Sequence, residues 1–196
     1  MASYSVRRLE HQDLPTRVAW FSHPMVSSQI MLDAPLSLAA TERWFSETLL
    51  NANRLDLVFE YSAHSHCQVV TMAGLAPIEY KHRRSEIYIV VDPERTCRGF
   101  GTLALRWMVN YAFRDLGLNR LFLYTMGTNA RARRFYESNG FRAEGRLRAH
   151  ALHQGKLVDR HIHALLHKEW QRLPWAAEEG AHLGHTCHEF EIPGDE

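Results

Sequence analysis

The sequence predicts a mixed α+β domain, and three observations carry that prediction. Leu105, Met108, Val109, Ala112, Phe113 and Leu116 recur at i, i+3, i+4, i+7, i+8 and i+11, which is one apolar face of a helix. Apolar runs of strand length flank that helix, at residues 85–91 before it and 121–125 after it. Turn signals join further strand pairs: a basic Lys81-His82-Arg83-Arg84 stretch and, later, Gln154-Gly155.

The remaining elements follow in chain order. Residues 4–9 alternate and open a strand. Asp13-Leu14-Pro15 leads into a short helix. Ser37 is a candidate N-cap for a second helix that carries Leu38, Phe45 and Leu49, with Trp44 beside them. Residues 55–61, 69–76 and 85–91 read as strands, with a turn at 63–66. The long helix of residues 101–116 stops at Gly117. Asn129 caps a helix over 130–138, closed by Asn139-Gly140. Residues 147–152 and 158–166 form a last hairpin. One domain over residues 1–170 is expected. The pattern degrades in 171–196, where Pro174 and Pro193-Gly194-Asp195-Glu196 suggest a loose tail.

Bulk properties set limits on function. At 196 residues the chain can bury a core without staples. A formal net charge of +1 gives no global case for nucleic acid or a membrane surface as partner. Cys67, Cys97 and Cys187 are odd in number and share no metal or redox spacing, so a disulfide framework is not expected. The first residues carry no apolar secretory segment and no run approaches a membrane span, so a cytoplasmic protein is expected. His182, His185, Cys187 and His188 lie close together in the tail, but at no spacing that defines a zinc site, and no metal is expected.

One turn stands out chemically. The strand of residues 87–91 ends at Asp92-Pro93, and Gly99-Phe100-Gly101-Thr102 then opens the long helix. Two glycines permit positive φ and close backbone approach. Freed N–H groups at a helix start, with the helix dipole behind them, suit a pyrophosphate, and Arg98 adds positive charge. A plain connector between strand and helix reads the same residues equally well. A dinucleotide fingerprint is rejected on two grounds. Asp92 to Arg98 intervene after the strand, and no carboxylate ends the next strand, Arg120 to Thr125.

Two segments resemble the GNAT superfamily of acetyl-CoA-dependent N-acetyltransferases. Residues 90–102, with Arg98-Gly99-Phe100-Gly101-Thr102, resemble its cofactor motif Gln/Arg-x-x-Gly-x-Gly/Ala, although Thr96 occupies the Gln/Arg slot. Residues 129–141 resemble the more specific Asn-x-x-Ala-x-x-x-Tyr-x-x-x-Gly-Phe, through Asn129, Ala132, Tyr136, Gly140 and Phe141. The ending Asp159 to Trp170 looks like that of the ribosomal-protein and amino-sugar acetyltransferase branch.

The resemblance implies a mostly antiparallel sheet of six to seven strands, flanked by helices and splayed open between residues 87–91 and 121–125. Acetyl-CoA as cosubstrate would lie in that cleft. Its pantetheine would bond to the backbone of Ile89, Val90 and Val91, and its pyrophosphate would meet Arg98, Gly99, Phe100, Gly101 and Thr102. Asn129 would contact pantetheine as well as cap its helix. Arg133, with Arg131 or Arg134, would meet the 3′-phosphate, where a solvated helix face is the plainer reading. A homodimer is in keeping with many relatives.

Acetyl transfer needs a neutral amine, a stabilised oxyanion and a proton for the departing thiolate. The resemblance makes Tyr136 the proton donor, where the residues alone suggest a core tyrosine. Glu86, at the start of the cofactor strand, is the candidate base, with a surface ion pair to Arg83 or Arg84 as the plainer alternative. Tyr88 alternates onto the same face and could share that role. His161 and His163 are weaker candidates. The acceptor is expected to be a primary amine. The substrate side of the fold would be built from residues 20–25, Trp44-Phe45 and the turn at 150–156, which carry few carboxylates. A polyamine would want an acidic cleft. A protein N-terminus or a nucleotide-linked amino sugar is therefore favoured over spermidine. A longer acyl-CoA, or a CoA-binding sensor module with a degenerate site, are the alternatives.

Overall fold

A computed structural model describes residues 3–32, 36–63 and 66–177, and the backbone of 188–189. Strand β1 (Ser3–Arg8) is followed by helices α1 (Leu14–Ser22), α2 (Pro24–Ser27) and α3 (Leu38–Thr48). Strands β2 (Leu55–Ala63), β3 (His66–Glu79) and β4 (Arg84–Val91) then run antiparallel to one another. Helix α4 (Phe100–Arg114), strand β5 (Arg120–Met126) and helix α5 (Ala130–Ser138) follow. The hairpin β6 (Arg142–His153) and β7 (Lys156–Leu166), the short helix α6 (His167–Trp170) and the two-residue β8 (His188–Glu189) complete the fold.

One sheet holds all the strands, in the order β6-β7-β5-β4-β3-β2-β1-β8. Seven are full strands and β8 edges the sheet beside β1. Every pairing is antiparallel except β4 with β5. This is the expected α+β architecture, with the sheet at the upper end of the expected strand count.

The two faces of the sheet are covered by different helices. α4 lays Leu105, Met108, Val109, Ala112 and Phe113 against Phe59, Leu75 and Leu121, all buried. Burial contributes about 1.5–3 kcal/mol for each large side chain. On the other face Leu14, Trp20 and Phe21 from the first helices pack on Val58, Met72 and Val90. Local chemistry fixes the helix starts: Ser37 Oγ accepts from Ala40 N at 3.1 Å and Asn129 Oδ1 from Ala132 N at 2.9 Å. Gly117 and Gly140 adopt the positive φ that ends their helical segments.

Three expectations shift. β6 starts at Arg142 rather than near 147, because most of that strand is exposed and carries no apolar alternation to reveal it. α2 was not expected; Pro24 starts it and His23 Nδ1 accepts from Met25 N at 3.2 Å. The fold also continues past residue 170. Trp175 and Ala176 are buried in the α4-side core, and Arg114 donates to the Ala176 carbonyl. The histidine and cysteine cluster at residues 182–188 lies outside the described residues, save for the backbone of His188.

Candidate active site

The site begins where two strands part. β4 and β5 pair in parallel only at Arg84 with Arg120, Ser85 with Leu121 and Glu86 with Phe122. β4 then continues to Val91 and β5 to Met126 without a further backbone bond between them. β5 stays bonded to β7 along its whole length, and β4 stays bonded to β3. Alternate peptide groups of Ile87 to Val91 therefore face an opening rather than a strand, and unpaired backbone groups of that kind seek a partner. A cavity of about 730 Å3 fills the opening.

At one end of the cavity stands the start of α4. Gly99 is its N-cap, with φ +84°, and supplies no side chain to bond the first N–H groups. Cys97, two residues earlier, also has positive φ, at 70°. The orphan donors of the first turn and the positive end of a 15-residue helix face the cavity together. Arg98, Phe100 and Thr102 line the same end. Gly101 serves differently from Gly99. Its backbone is ordinary helix, but a Cβ there would stand 3.1 Å from Val91 Cγ2 and 3.7 Å from Phe135 Cζ. Its missing side chain leaves the space between α4, β4 and α5 open. Arg95, next to Thr96, is tied to Gln68 at 3.0 Å and to Asp92 at 3.5 Å.

Tyr136 and Glu86 line this cavity as well. Helix α5 holds Tyr136 between Phe135 and Phe141, ring to ring at 5.1 and 5.7 Å. Burial pushes its phenol well above the usual tyrosine range, and the Glu86 charge adds to that shift. Burial also raises Glu86, opposed by the positive charge of Arg160. Tyr136 thus senses the Glu86 charge across the cavity. Tyr88 lines the cavity too, and its hydroxyl donates to Asp56. Ile89, Val90, Val91 and Asn129 complete the expected set along the wall.

Arg133 is the expected site residue that does not line the cavity. Its Nη1 donates to the Gly127 carbonyl at 2.6 Å. Arg131 lines the cavity instead, with Nη2 3.4 Å from Cys97 Sγ. A helix places residues two apart on different faces, so sequence spacing alone could not choose between them. His163 is fully buried, with Nε2 3.6 Å from the Glu137 carboxylate, and neither it nor His161 lines the cavity. The turn at 150–156 also lies off the cavity. Among the described residues no cluster is placed to hold a metal, and no helix is long and apolar enough to cross a membrane.

Two features escaped the sequence. Arg17, Arg54 and Arg160 line the cavity from α1, β2's approach and β7. No motif marks them, and only the tertiary fold brings them together. The other is Gly74. A Cβ there would lie 2.5 Å from the Leu55 carbonyl oxygen and would run into the Tyr88 ring, which crosses β3 at this point. Backbone cannot retreat cheaply from such a contact. Gly74→Ala is expected to lower stability by about 1–3 kcal/mol, read as a shift of the urea midpoint at unchanged slope. A variant as stable as the parent would show that Tyr88 repacks freely.

Comparison with known proteins bears on the family and the fold. A model of the acetyltransferase (GNAT) domain family matches residues 5–142. A spermidine N(1)-acetyltransferase of Vibrio cholerae is 26% identical over 115 residues, covering 53% of this chain and 66% of that protein. The Escherichia coli K12 spermidine N(1)-acetyltransferase is 36% identical over 76 residues, 39% of this chain and 41% of that one. The chain thus spans between two fifths and two thirds of these relatives. The crystal structure of the Vibrio cholerae spermidine N-acetyltransferase in complex with CoA and spermine superposes with a TM-score of 0.80 at 23% identity, covering 86% of this chain and 98% of that one.

Proposed function

The chain belongs to the GNAT acetyltransferase family, and from that premise we propose that it is an acetyl-CoA-dependent N-acetyltransferase that acetylates a primary amine, with Tyr136 as proton donor and Glu86 as base. The observation that carries the proposal is the single cavity that joins the unpaired edge of β4, the uncapped start of α4, Tyr136 and Glu86. The donors fit the cosubstrate. Orphan N–H groups at Gly99 to Gly101 and the charge of Arg98 suit a pyrophosphate. The free edge of Ile89 to Val91 suits the amides of pantetheine, which would bond there as an added strand does. Arg131, which lines the cavity where Arg133 does not, would serve the nucleotide end.

The chemistry follows from the two titratable groups. Glu86, made more basic by burial, takes a proton from the incoming ammonium directly or through water. The free amine attacks the thioester carbonyl, and Tyr136 meets the departing sulfur. Burial keeps the Tyr136 phenol protonated at neutral pH. The same low dielectric makes the thiolate more basic, so donor and acceptor remain matched.

The acceptor we favour is a protein N-terminus or a small amine such as an amino sugar. Leaving Arg98 and Arg131 to the phosphates and Arg95 to Asp92, the lining still carries Arg17, Arg54 and Arg160 against one carboxylate, Glu86, among the described residues, and Arg54 is paired with Asp56. A cationic wall favours the neutral form of a bound amine. At pH 7 about one α-amino group in ten is already neutral, against on the order of one alkylammonium in a thousand. The second reading, a polyamine acceptor, rests on the spermidine acetyltransferases among the relatives. It requires two or more ammonium groups to enter a site rich in arginine.

Cofactor choice provides the test. Acetyl-CoA is expected to raise the melting temperature and NAD to leave it unchanged. Stabilisation by NAD with none by acetyl-CoA would sink the proposal.

A further inference from the structure

Arg17 is an incompletely satisfied charge in the cavity wall. Helix α1 carries it among buried neighbours, and only 7% of its surface is exposed. The Phe21 and Trp44 rings lie 4.0 and 4.2 Å from its guanidinium carbon. Such stacking stabilises the cation but accepts no hydrogen bond. Its Nη1 is buried with no hydrogen-bond partner among the described residues. A buried guanidinium without an acceptor is costly and calls for one.

The nearby carboxylate does not answer that need. Asp56 is held by Arg54 through two bonds, at 2.6 and 2.9 Å, and also receives the Tyr88 hydroxyl. Arg160 stands across the cavity in a similar condition. It stacks on Tyr124 at 4.4 Å, and its Nε is buried with no partner among the described residues. It lines the cavity with Glu86, and its charge acts on that carboxylate. Arg17 lines the same cavity, and its charge acts on Tyr88, two residues from Glu86 along β4.

We propose that Arg17, assisted by Arg160, binds an oxyanion carried by the acceptor itself, so that the substrate is a primary amine bearing a carboxylate or phosphate. The proposal rests on the acetyltransferase reading and narrows its acceptor. A guanidinium edge meets either oxyanion with paired N–H donors, whereas it repels a polyamine. Arg17 would be a specificity residue, acting on binding more than on the transfer step.

Matched acceptor pairs separate the two oxyanions: glucosamine 6-phosphate against glucosamine, and phenylalanine against phenylalaninamide, with spermidine as a polycation control. The parent is expected to favour the anionic member of one pair by about tenfold or more in kcat/KM. In Arg17→Gln that preference should vanish through a higher KM for the anionic member. Arg17→Lys, which keeps charge but not the fork, should restore part of it. Calorimetry of the same pairs on the CoA complex reads the site without turnover. Tighter binding of the anionic member that is lost in Arg17→Gln supports the site even where no acetyl transfer occurs, a failure that would count against the transferase reading alone. Equal binding of both members, a preference that survives in Arg17→Gln, or spermidine as the best acceptor by an order of magnitude would overturn the proposal.

Discussion

Tyr136→Phe is expected to lower kcat by on the order of 100-fold while leaving the affinity for acetyl-CoA nearly intact. The substitution removes one hydroxyl and keeps the ring. Tyr136 packs through that ring against Phe135 and Phe141, so α5 and the wall it forms should be preserved. What is lost is the proton held near the departing sulfur. Burial and the Glu86 charge both hold the phenol in its protonated form, so the parent should show no loss of this group across the neutral range. Steady-state rates at saturating acetyl-CoA, with calorimetry on the same protein, separate the two effects. A variant that turns over at the parent rate would show that water or another group protonates the thiolate. A variant that loses acetyl-CoA affinity to the same degree would assign Tyr136 to binding.

Gly101→Val is expected to weaken acetyl-CoA binding by about 100-fold or more. A Cβ at this position already approaches Val91 and Phe135, so the two further methyl groups of valine have to enter the opening or push α4 away from β4. Either outcome takes helix-start N–H groups out of reach of an anion. Hydrogen bonds to a charged partner contribute about 1.5–3 kcal/mol each, and two of them account for the expected loss. The variant must be shown to be folded, by its circular dichroism and melting transition. Gly101→Ala, which adds only the Cβ, should fall between it and the parent. Wild-type affinity in folded Gly101→Val would mean that this turn only joins strand to helix.

Gly99 and Gly101 show how far sequence reaches and where it stops. Both lie in the motif, yet only Gly99 needs positive φ. Gly101 answers to Val91 and Phe135, which come from elsewhere in the chain. Arg133 and Arg131 make the same point. The motif marks the helix, but the Gly127 carbonyl that captures Arg133 is presented by the loop after β5.

By itself the sequence determined the elements whose signals are local: the apolar face of α4, the caps at Ser37 and Asn129, the stops at Gly117 and Gly140, and the strand-turn-helix order around the cofactor turn. Each depends on residues within one or two turns of one another, so spacing is enough to reveal it. With two motifs added, it also placed Tyr136, Glu86 and the helix start in one cleft. Only the tertiary structure decided which arginines complete the cavity wall. Arg17, Arg54 and Arg160 come from α1, the start of β2 and β7, and their convergence depends on sheet order and on where β4 leaves β5. Long-range packing leaves no period in the sequence. A buried cation seeking a partner therefore becomes visible only once the chain has closed around it.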